Sequence, residues 1–159
     1  SQVPGRMEVV SAMPGKPLVV IDFAHTPDAL EQVLVACREK CSGQLICVVG
    51  CGGDRDQGKR PEMARVTIKH SDCVWFTSDN PRSESPSAII DDMLSGLSAT
   101  QNVRAVVDRR EAITSAIESA APDDLVLVAG KGHESYQEVN GDRHRFSDRV
   151  VALSVLREH

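Results

Sequence analysis

Aromatic residues are scarce in this chain of 159 residues: phenylalanine, tyrosine and tryptophan together make up 3%. Proteins that bind nucleic acid stack bases on aromatic rings and surround the phosphates with basic residues. Here the net charge is −5. Lys59 and Arg60 are neighbours, but two basic residues do not make a patch. The composition therefore argues against a nucleic-acid partner.

Long hydrophobic runs are also missing, since none approaches the roughly 20 residues that a membrane-spanning helix needs. The N-terminal residues lack the hydrophobic core of a signal peptide. We therefore expect a cytoplasmic protein with no membrane partner. Nothing in the sequence demands an assembly larger than a monomer.

The five cysteines are odd in number and include no Cys-x-x-Cys pair. This pattern argues against a disulfide framework and against a structural zinc site. Cys37 and Cys41 lie four residues apart on a predicted helix, a spacing that two metal ligands can have. The alternative that we favour is that both pack as small apolar residues. We expect no metal site in this chain.

What the chain does contain is an ordinary globular composition, with 41% hydrophobic and 26% charged residues, in a length that suits one domain. Short apolar segments alternate with amphipathic ones. Strands are predicted at Val9–Val10 and at 16–23, 44–50, 73–78, 103–108 and 123–130. Helices are predicted at 26–40, 61–70, 85–97 and 110–120, and from about Ser147 onward.

This alternation is typical of βαβ units and right-handed crossovers. It predicts an α/β fold, Rossmann-like, with a mostly parallel sheet and helices on both faces. Asn140-Gly141 predicts a tight hairpin turn. Residues 1–5 are expected to be a linker or a cloning remnant, and residues 6–159 to form the domain.

Polar segments follow five of the predicted strands: "DFAHTPD", "GCGGDRDQGKR", "TSDNPRSE", "DRRE" and "GKGHESYQ". Ligands of parallel α/β sheets bind beyond the carboxyl ends of the strands. If these segments line one edge, they form a site rich in Asp, Arg, His, Lys and backbone N–H groups.

The glycine-rich segment matches a phosphate-binding loop only in part. Gly53 to Lys59 fits GxxxxGK, but Arg60 stands where Ser or Thr must reach the magnesium ion. Asp54 and Asp56 would repel phosphates. Arg55 stands where a GxGxxG motif needs its last glycine. We expect the glycines to permit a tight turn that aims Arg55 inward.

Five segments carry a resemblance to a known family: "GRMEV", "DFAHTPDAL", "GCGGDRDQGKRPEM", "TSDNPRSE" and "AGKGHESYQ". In this order and spacing they resemble the C-terminal domain of the Mur ligases, from about Gly5 to the last helix. The resemblance is strongest to the members that add meso-diaminopimelate to UDP-N-acetylmuramoyl-dipeptide in peptidoglycan precursor synthesis. It implies an ATP-dependent acid–amino-acid ligase that uses Mg²⁺ and works in the cytoplasm.

The resemblance also implies that this chain is one part of a three-domain enzyme. The central domain would hold most of the contacts to ATP and Mg²⁺, and the N-terminal domain would bind the uridine nucleotide. Neither is present here, so we expect no catalytic residue in this chain and no catalysis by it alone. Phe23 departs from the family, which usually has Tyr there.

By the same resemblance, the amino-acid site consists of Arg55, Asp79, Asn80, Pro81, Arg82, Gly130 and Glu134. Meso-diaminopimelate ends in an ammonium and a carboxylate, and Arg82 can offer a bidentate fork to the carboxylate. Asp79 can accept from the ammonium, and Asn80 can do either. Pro81 reduces the freedom of the loop. Alternatively, Asp79 only opens the loop as an Asx-turn residue.

The resemblance assigns Arg6, Asp22 and His25 to the edge of the ATP site. Asp22 suits a ribose hydroxyl, but a backbone-capping role is an alternative. His25 is either a nucleotide contact or a turn histidine. Lys131 and His133 are plausible neighbours of a polyphosphate or carboxylate and are assigned to neither site. The remaining histidines are expected at the surface: His70, His144 and His159.

Two other functions stay open if the resemblance is set aside. A flavodoxin-like or Rossmann-like binding module for a small anionic ligand would fit the polar strand ends. A stand-alone P-loop enzyme is disfavoured by Arg60.

Overall fold

Strands and helices alternate along the chain as the hydrophobic pattern predicts. The computed structural model describes residues 5–98 and 102–158, so the linker expected at 1–5 lies almost wholly outside the described residues, as does His159. The strands are β1 (Glu8–Ser11), β2 (Leu18–Asp22), β3 (Leu45–Val49), β4 (Cys73–Phe76), β5 (Val103–Ala105), β6 (Leu125–Ala129), β7 (Tyr136–Val139) and β8 (Asp142–Arg145). The helices are α1 (Pro27–Glu39), α2 (Lys59–His70), α3 (Pro86–Leu94), α4 (Arg109–Ser119) and α5 (Asp148–Glu158).

Six strands form one sheet in the order β1-β2-β6-β3-β4-β5. All neighbours are parallel except β1, which pairs antiparallel with β2 at the edge. β3 and β6 are apolar and fully buried, as expected for central strands covered on both faces. The predicted α/β fold with a mostly parallel sheet is confirmed.

Helices cover both faces of the sheet, and each face has its own apolar core. One core joins alternate residues of the strands to α1, α2 and α3, with Leu34, Met63 and Met93 among its members. The other joins the opposite faces of the same strands to α4 and α5, through residues such as Ile113 and Val155. This two-sided burial follows from the period of two in strand side chains.

Helix ends follow local capping chemistry. Thr26 and Ser85 accept N–H bonds at the starts of α1 and α3, each followed by a proline in the first turn. α2 begins at Lys59 rather than at the predicted Pro61, because proline is tolerated within the first turn. In the described ranges, no helix is both long and apolar enough to cross a membrane.

A buried ion pair joins the two helices on the second face to the sheet. The Arg109 guanidinium lies 2.8 Å from the Asp148 carboxylate, and both side chains are inaccessible to solvent. The remaining Arg109 N–H groups donate to the carbonyl oxygens of Ser78 (3.0 Å) and Ala129 (3.2 Å). Arg109 therefore ties the ends of β4 and β6 to α5.

Removing one member of this pair is expected to destabilise the fold strongly. Arg109→Met leaves the Asp148 carboxylate buried without its partner, which costs about 3–5 kcal/mol of unfolding free energy. The matched control is Arg38→Met, which breaks an exposed ion pair with Asp72 (2.9 Å). Solvent screens that pair, so its loss costs roughly 0–1 kcal/mol. Urea denaturation of both variants measures the difference; equal losses would contradict this account of Arg109.

Candidate functional site

Four of the five polar segments that were expected at one edge of the sheet meet there. They follow β2, β3, β4 and β6, and together they line a pocket of about 430 Å³. β6 lies between β2 and β3 in the sheet, so the segment after it enters between the other two. The fifth segment does not line this pocket: Asp108 instead caps α4 by accepting from the Glu111 N–H.

The predicted amino-acid site is largely assembled in this pocket. All of its predicted residues line the pocket except Pro81, which lies in the wall of a neighbouring depression. The two arginines differ in their surroundings, since Arg55 is exposed and the Arg82 side chain is 20% exposed. The Arg82 guanidinium donates to the Gly53 carbonyl (2.9 Å). Whether these residues bind an amino acid stays a prediction.

The segment after β4 is buried, unlike an ordinary surface turn. Residues 77–80 are all less than a tenth exposed. Ser78 donates to the Val107 carbonyl (2.8 Å), and Gln137 donates to the Asp79 carbonyl (2.6 Å). No backbone N–H among the described residues donates to the Asp79 carboxylate, so the hydrogen bond of an Asx-turn is not formed there. The carboxylate faces the pocket instead.

The β7–β8 hairpin holds Arg82 in place. Arg82 has a φ of 53°, a left-handed conformation that is uncommon outside glycine. Its N–H donates to the Glu138 carbonyl (2.9 Å), and its carbonyl accepts from the Asn140 N–H (2.8 Å). Asn140 and Gly141 both have positive φ, which confirms the predicted tight turn. The sequence indicated the turn but not that the hairpin would contact this loop.

Lys131, which the sequence analysis assigned to neither site, contacts three of the residues that line the pocket. It is 1% exposed, and its Nζ lies 3.0 Å from Asn80 Oδ1, 3.0 Å from Glu134 Oε1 and 3.7 Å from Asp79 Oδ1. A buried lysine is rare unless it is paired. Its position in "GKGHE", directly after a buried strand, was the available signal.

The electrostatics of the pocket centre on Asp79. Burial raises the pKa of the Asp79 carboxyl above its usual range, while the nearby Arg109 and Lys131 cations oppose that rise. A ligand ammonium beside Asp79 would favour its ionised form further. Cys51 also lines the pocket, and burial raises the pKa of its thiol to about 12, so it offers no thiolate at neutral pH.

Two N–H groups of the glycine-rich loop that a phosphate cradle would use already have acceptors in the protein. Gly53 N–H donates to the Asn80 carbonyl (2.8 Å), and Asp54 N–H donates to a Glu84 carboxylate oxygen (2.6 Å). Arg60, which replaces the metal-binding Ser or Thr, is 2% exposed and is paired with Glu84 (2.7 Å). These contacts argue against the P-loop interpretation.

The glycines of this loop serve a different purpose from the one predicted. None has a positive φ, so they are not required for an unusual turn. They permit close approach: a Cβ at Gly50 would collide with the Thr77 carbonyl, and one at Gly53 with the Pro81 carbonyl. The loop is thereby packed against the segment after β4, and Arg55 is exposed and lines the pocket.

The predicted nucleotide residues lie together in a second pocket of about 410 Å³. Arg6, Asp22 and His25 all line it, and His25 and Thr26 line the first pocket as well. Asp22 accepts from the N–H groups of Met7 and Ala24 (both 2.8 Å), which is a backbone-capping role. Each carboxylate oxygen keeps a second lone pair that a ligand hydroxyl can use.

The Phe23 ring packs against its neighbours without the hydroxyl group of the tyrosine that the family usually has at this position. The Arg6 guanidinium lies 4.7 Å from the centre of the Phe23 ring, within the range of a cation–π contact. The exposed His25 ring lies 6.1 Å from it, and His25 Nδ1 is 2.9 Å from the Phe23 carbonyl oxygen. Phe23 thus contacts two of the three predicted nucleotide residues, Arg6 and His25, at the pocket edge.

The other described histidines and cysteines singled out in the sequence line neither of these two pockets. His133 and His144 are exposed, while the partly exposed His70 has its Nε2 3.3 Å from Glu31. Cys37 is fully buried in the first core, and Cys41 lies beyond the end of α1. Within the described residues, no cluster of three or more His, Cys, Asp or Glu could hold a metal ion.

Comparison with known proteins decides the family. Residues 5–132 match the family model described as "Mur ligase, glutamate ligase domain". The chain belongs to the Mur ligase family. Over 152 residues it is 53% identical to the UDP-N-acetylmuramoyl-L-alanyl-D-glutamate–2,6-diaminopimelate ligase of Pseudomonas syringae pv. tomato, covering 96% of this chain and 31% of that protein. The ligase of the same name from Haemophilus influenzae is 50% identical over 153 residues, again covering 96% of this chain and 31% of that protein.

The chain also resembles a solved structure of a UDP-N-acetylmuramoyl-L-alanyl-D-glutamate–2,6-diaminopimelate ligase. It superposes with a TM-score of 0.92 at 46% sequence identity, covering 100% of this chain and 33% of the solved chain. This Mur ligase domain thus spans about a third of the length of the relatives it matches. That proportion agrees with the expectation of one part of a larger enzyme.

Two glycines with positive φ provide a test of the pocket's packing. Gly130 (φ 114°) would place a Cβ 2.7 Å from Asp79 Oδ2, whereas Gly141 (φ 82°) faces open space. Gly141→Ala is expected to cost about 1–2 kcal/mol from backbone strain alone. Gly130→Ala should cost more, since it also displaces Asp79. Chemical denaturation measures both losses, and a smaller loss for Gly130→Ala would contradict the close approach.

Proposed function

We propose that this chain is the amino-acid-binding domain of an ATP-dependent ligase that joins meso-diaminopimelate to UDP-N-acetylmuramoyl-L-alanyl-D-glutamate in peptidoglycan precursor synthesis. The complete enzyme would work in the cytoplasm and bind the UDP-linked dipeptide mainly outside this domain. Its match to relatives of that name supports the proposal, although the chain spans only 31% of their length.

One observation supports the proposal: side chains that match both charges of an amino-acid head line the same pocket. Arg55 and Arg82 line the same pocket as Asp79 and Glu134. The arginines suit a carboxylate, and the two acidic side chains suit an ammonium. The Arg82 Nε is 3.7 Å from Glu138, too long for a hydrogen bond, so the guanidinium keeps donors for a ligand. Lys131 lies within 4 Å of both Asp79 and Glu134, so a neutral or purely anionic ligand would leave one of these two negative charges without a cation.

The second pocket supports an ATP contact on the same domain. Arg6 offers a cation, His25 an exposed ring, and Asp22 acceptor lone pairs near a strand end. ATP, when bound, supplies the phosphoryl group that activates the carboxylate of the dipeptide. Mg²⁺ would be held mainly by the rest of the enzyme, because the described residues offer no metal cluster. The shared His25 and Thr26 place the two pockets side by side.

Titration calorimetry of this chain with meso-diaminopimelate and with L-lysine tests the proposal. Lysine lacks the distal carboxylate that Arg82 would bind, so meso-diaminopimelate is expected to bind more tightly. Arg82→Ala should weaken meso-diaminopimelate by about 30-fold or more, since losing one member of a desolvated charge pair costs roughly 2–5 kcal/mol. Its effect on lysine should be much smaller.

The control for this titration is Arg104→Ala, because Arg104 is an exposed arginine on β5 outside the pocket. It should bind both amino acids as the unsubstituted chain does. Equal losses for both amino acids in Arg82→Ala would show that Arg82 serves the fold. Binding of simple anions in preference to either amino acid would favour the alternative, a general anion-binding module.

The chain alone is expected to release no phosphate from ATP, even with Mg²⁺ and meso-diaminopimelate. The physical reason is that its glycine-rich loop has no free N–H cradle at Gly53 and Asp54. A phosphate-release assay compares the chain with a buffer blank. Release stimulated by meso-diaminopimelate would contradict the division of labour proposed here.

A further inference from the structure

The buried Lys131 fixes the hydrogen-bonding polarity of Asn80. Asn80 Oδ1 accepts from Lys131 Nζ (3.0 Å) and from the Glu138 N–H (2.9 Å). A lysine ammonium and a backbone N–H can only donate, so the side-chain atom between them must be the oxygen. A carbonyl oxygen has two lone pairs, and both are now used. Asn80 therefore has no acceptor left for a ligand.

The other end of the Asn80 amide remains available. Its Nδ2 carries two hydrogens, and one points toward Glu134 Oε1 at the long distance of 3.4 Å. Asn80 lines the pocket. Toward a ligand, Asn80 can thus only donate, which suits a carboxylate and not an ammonium.

Lys131 also sets the charge of the acidic side of the pocket. Asp79 and Glu134 together carry two negative charges when ionised, and the Lys131 ammonium lies within 4 Å of both. One negative charge is left over, which matches one ligand ammonium. Arg109 and Asp148 also act on Asp79, but they form a buried ion pair, so their opposite charges largely offset each other.

We propose that Lys131 is a positioning residue of the amino-acid pocket: it directs Asn80 to the ligand carboxylate and leaves Asp79 and Glu134 to the ligand ammonium. This inference rests on the function proposed above and makes it more specific. Lys131 itself is not expected to touch the amino acid, since its side chain is inaccessible to solvent.

The test is calorimetric titration of meso-diaminopimelate into the chain and two variants. Lys131→Met removes the charge and the donor, whereas Lys131→Gln removes the charge and keeps a donor for Asn80. Lys131→Met should weaken binding on the order of ten- to a hundredfold, the range for lost hydrogen bonds to charged groups. Lys131→Gln should lose less. Lys69→Met, at an exposed position of α2, is the control for losing one positive charge.

The pH dependence separates a positioning role from a merely structural one. Lys131 is one of the groups that lower the Asp79 pKa, so its removal raises that pKa further. Protonated Asp79 cannot accept from an ammonium in the same way, so binding then has to displace a proton. The loss in Lys131→Met and in Lys131→Gln should therefore grow as the pH is lowered.

The variant Asn80→Asp tests independently whether Asn80 donates to the ligand carboxylate, because it leaves Lys131 unchanged. It replaces the donating amide by an acceptor at the same position, which would repel the ligand carboxylate. Meso-diaminopimelate should bind on the order of tenfold more weakly or worse, while lysine, which has no distal carboxylate, should lose less. This variant keeps the test decisive if Lys131→Met does not fold.

The outcomes are distinct. If the unsubstituted chain does not bind meso-diaminopimelate, the proposed function fails. If it binds and the Lys131 variants bind equally well, or their loss does not grow as the pH is lowered, the role of Lys131 fails while the function stands. Equal weakening of both amino acids by Asn80→Asp overturns the assigned polarity of Asn80.

Discussion

The pocket depends on one buried cation, Arg109, which no solvent reaches. Its N–H groups donate to the carbonyl oxygens of Ser78, two residues beyond the end of β4, and of Ala129, the last residue of β6. Asp79 follows Ser78 directly, so the guanidinium fixes the position from which the acidic side of the pocket begins. Asp148 offsets the cost of burying this charge. The same cation lowers the Asp79 pKa against the effect of burial, so Arg109 sets both geometry and charge.

The loops that form the pocket approach one another so closely that no side chain would fit between their backbones at the contact points. Gly50 and Gly53 pack against backbone carbonyls of the neighbouring segment, and the hairpin holds both the N–H and the carbonyl of Arg82. The N–H groups of Gly53 and Asp54, which might otherwise bind a phosphate, are already paired with protein. The basic and acidic side chains that line the pocket fit the proposed amino-acid head better than a polyphosphate.

The fold was predictable from the sequence because its signals are local. The runs LICVV and LVLVA are apolar enough to mark central strands, and the sequences Thr26-Pro27 and Ser85-Pro86 mark helix starts. The strand order was not predictable in this way. β6 lies between β2 and β3, and that arrangement depends on contacts between segments far apart in the chain.

The site was only partly predictable for the same reason: some of its features depend on contacts between segments far apart in the chain. The family resemblance indicated Arg82 and Asp79, and the charges of an amino-acid head fit these residue types. Lys131 could not be assigned, because its role depends on an ammonium that meets Asn80 from a position 51 residues further along the chain. Asn80 was open to either polarity in the sequence, since an amide both donates and accepts. Its side-chain oxygen accepts one hydrogen bond from Lys131 and one from the Glu138 N–H of the hairpin. These two bonds leave the Asn80 side chain only a donor's role toward a ligand. The identity of the binding groups is thus a local property of the sequence, while their polarity is a property of the fold.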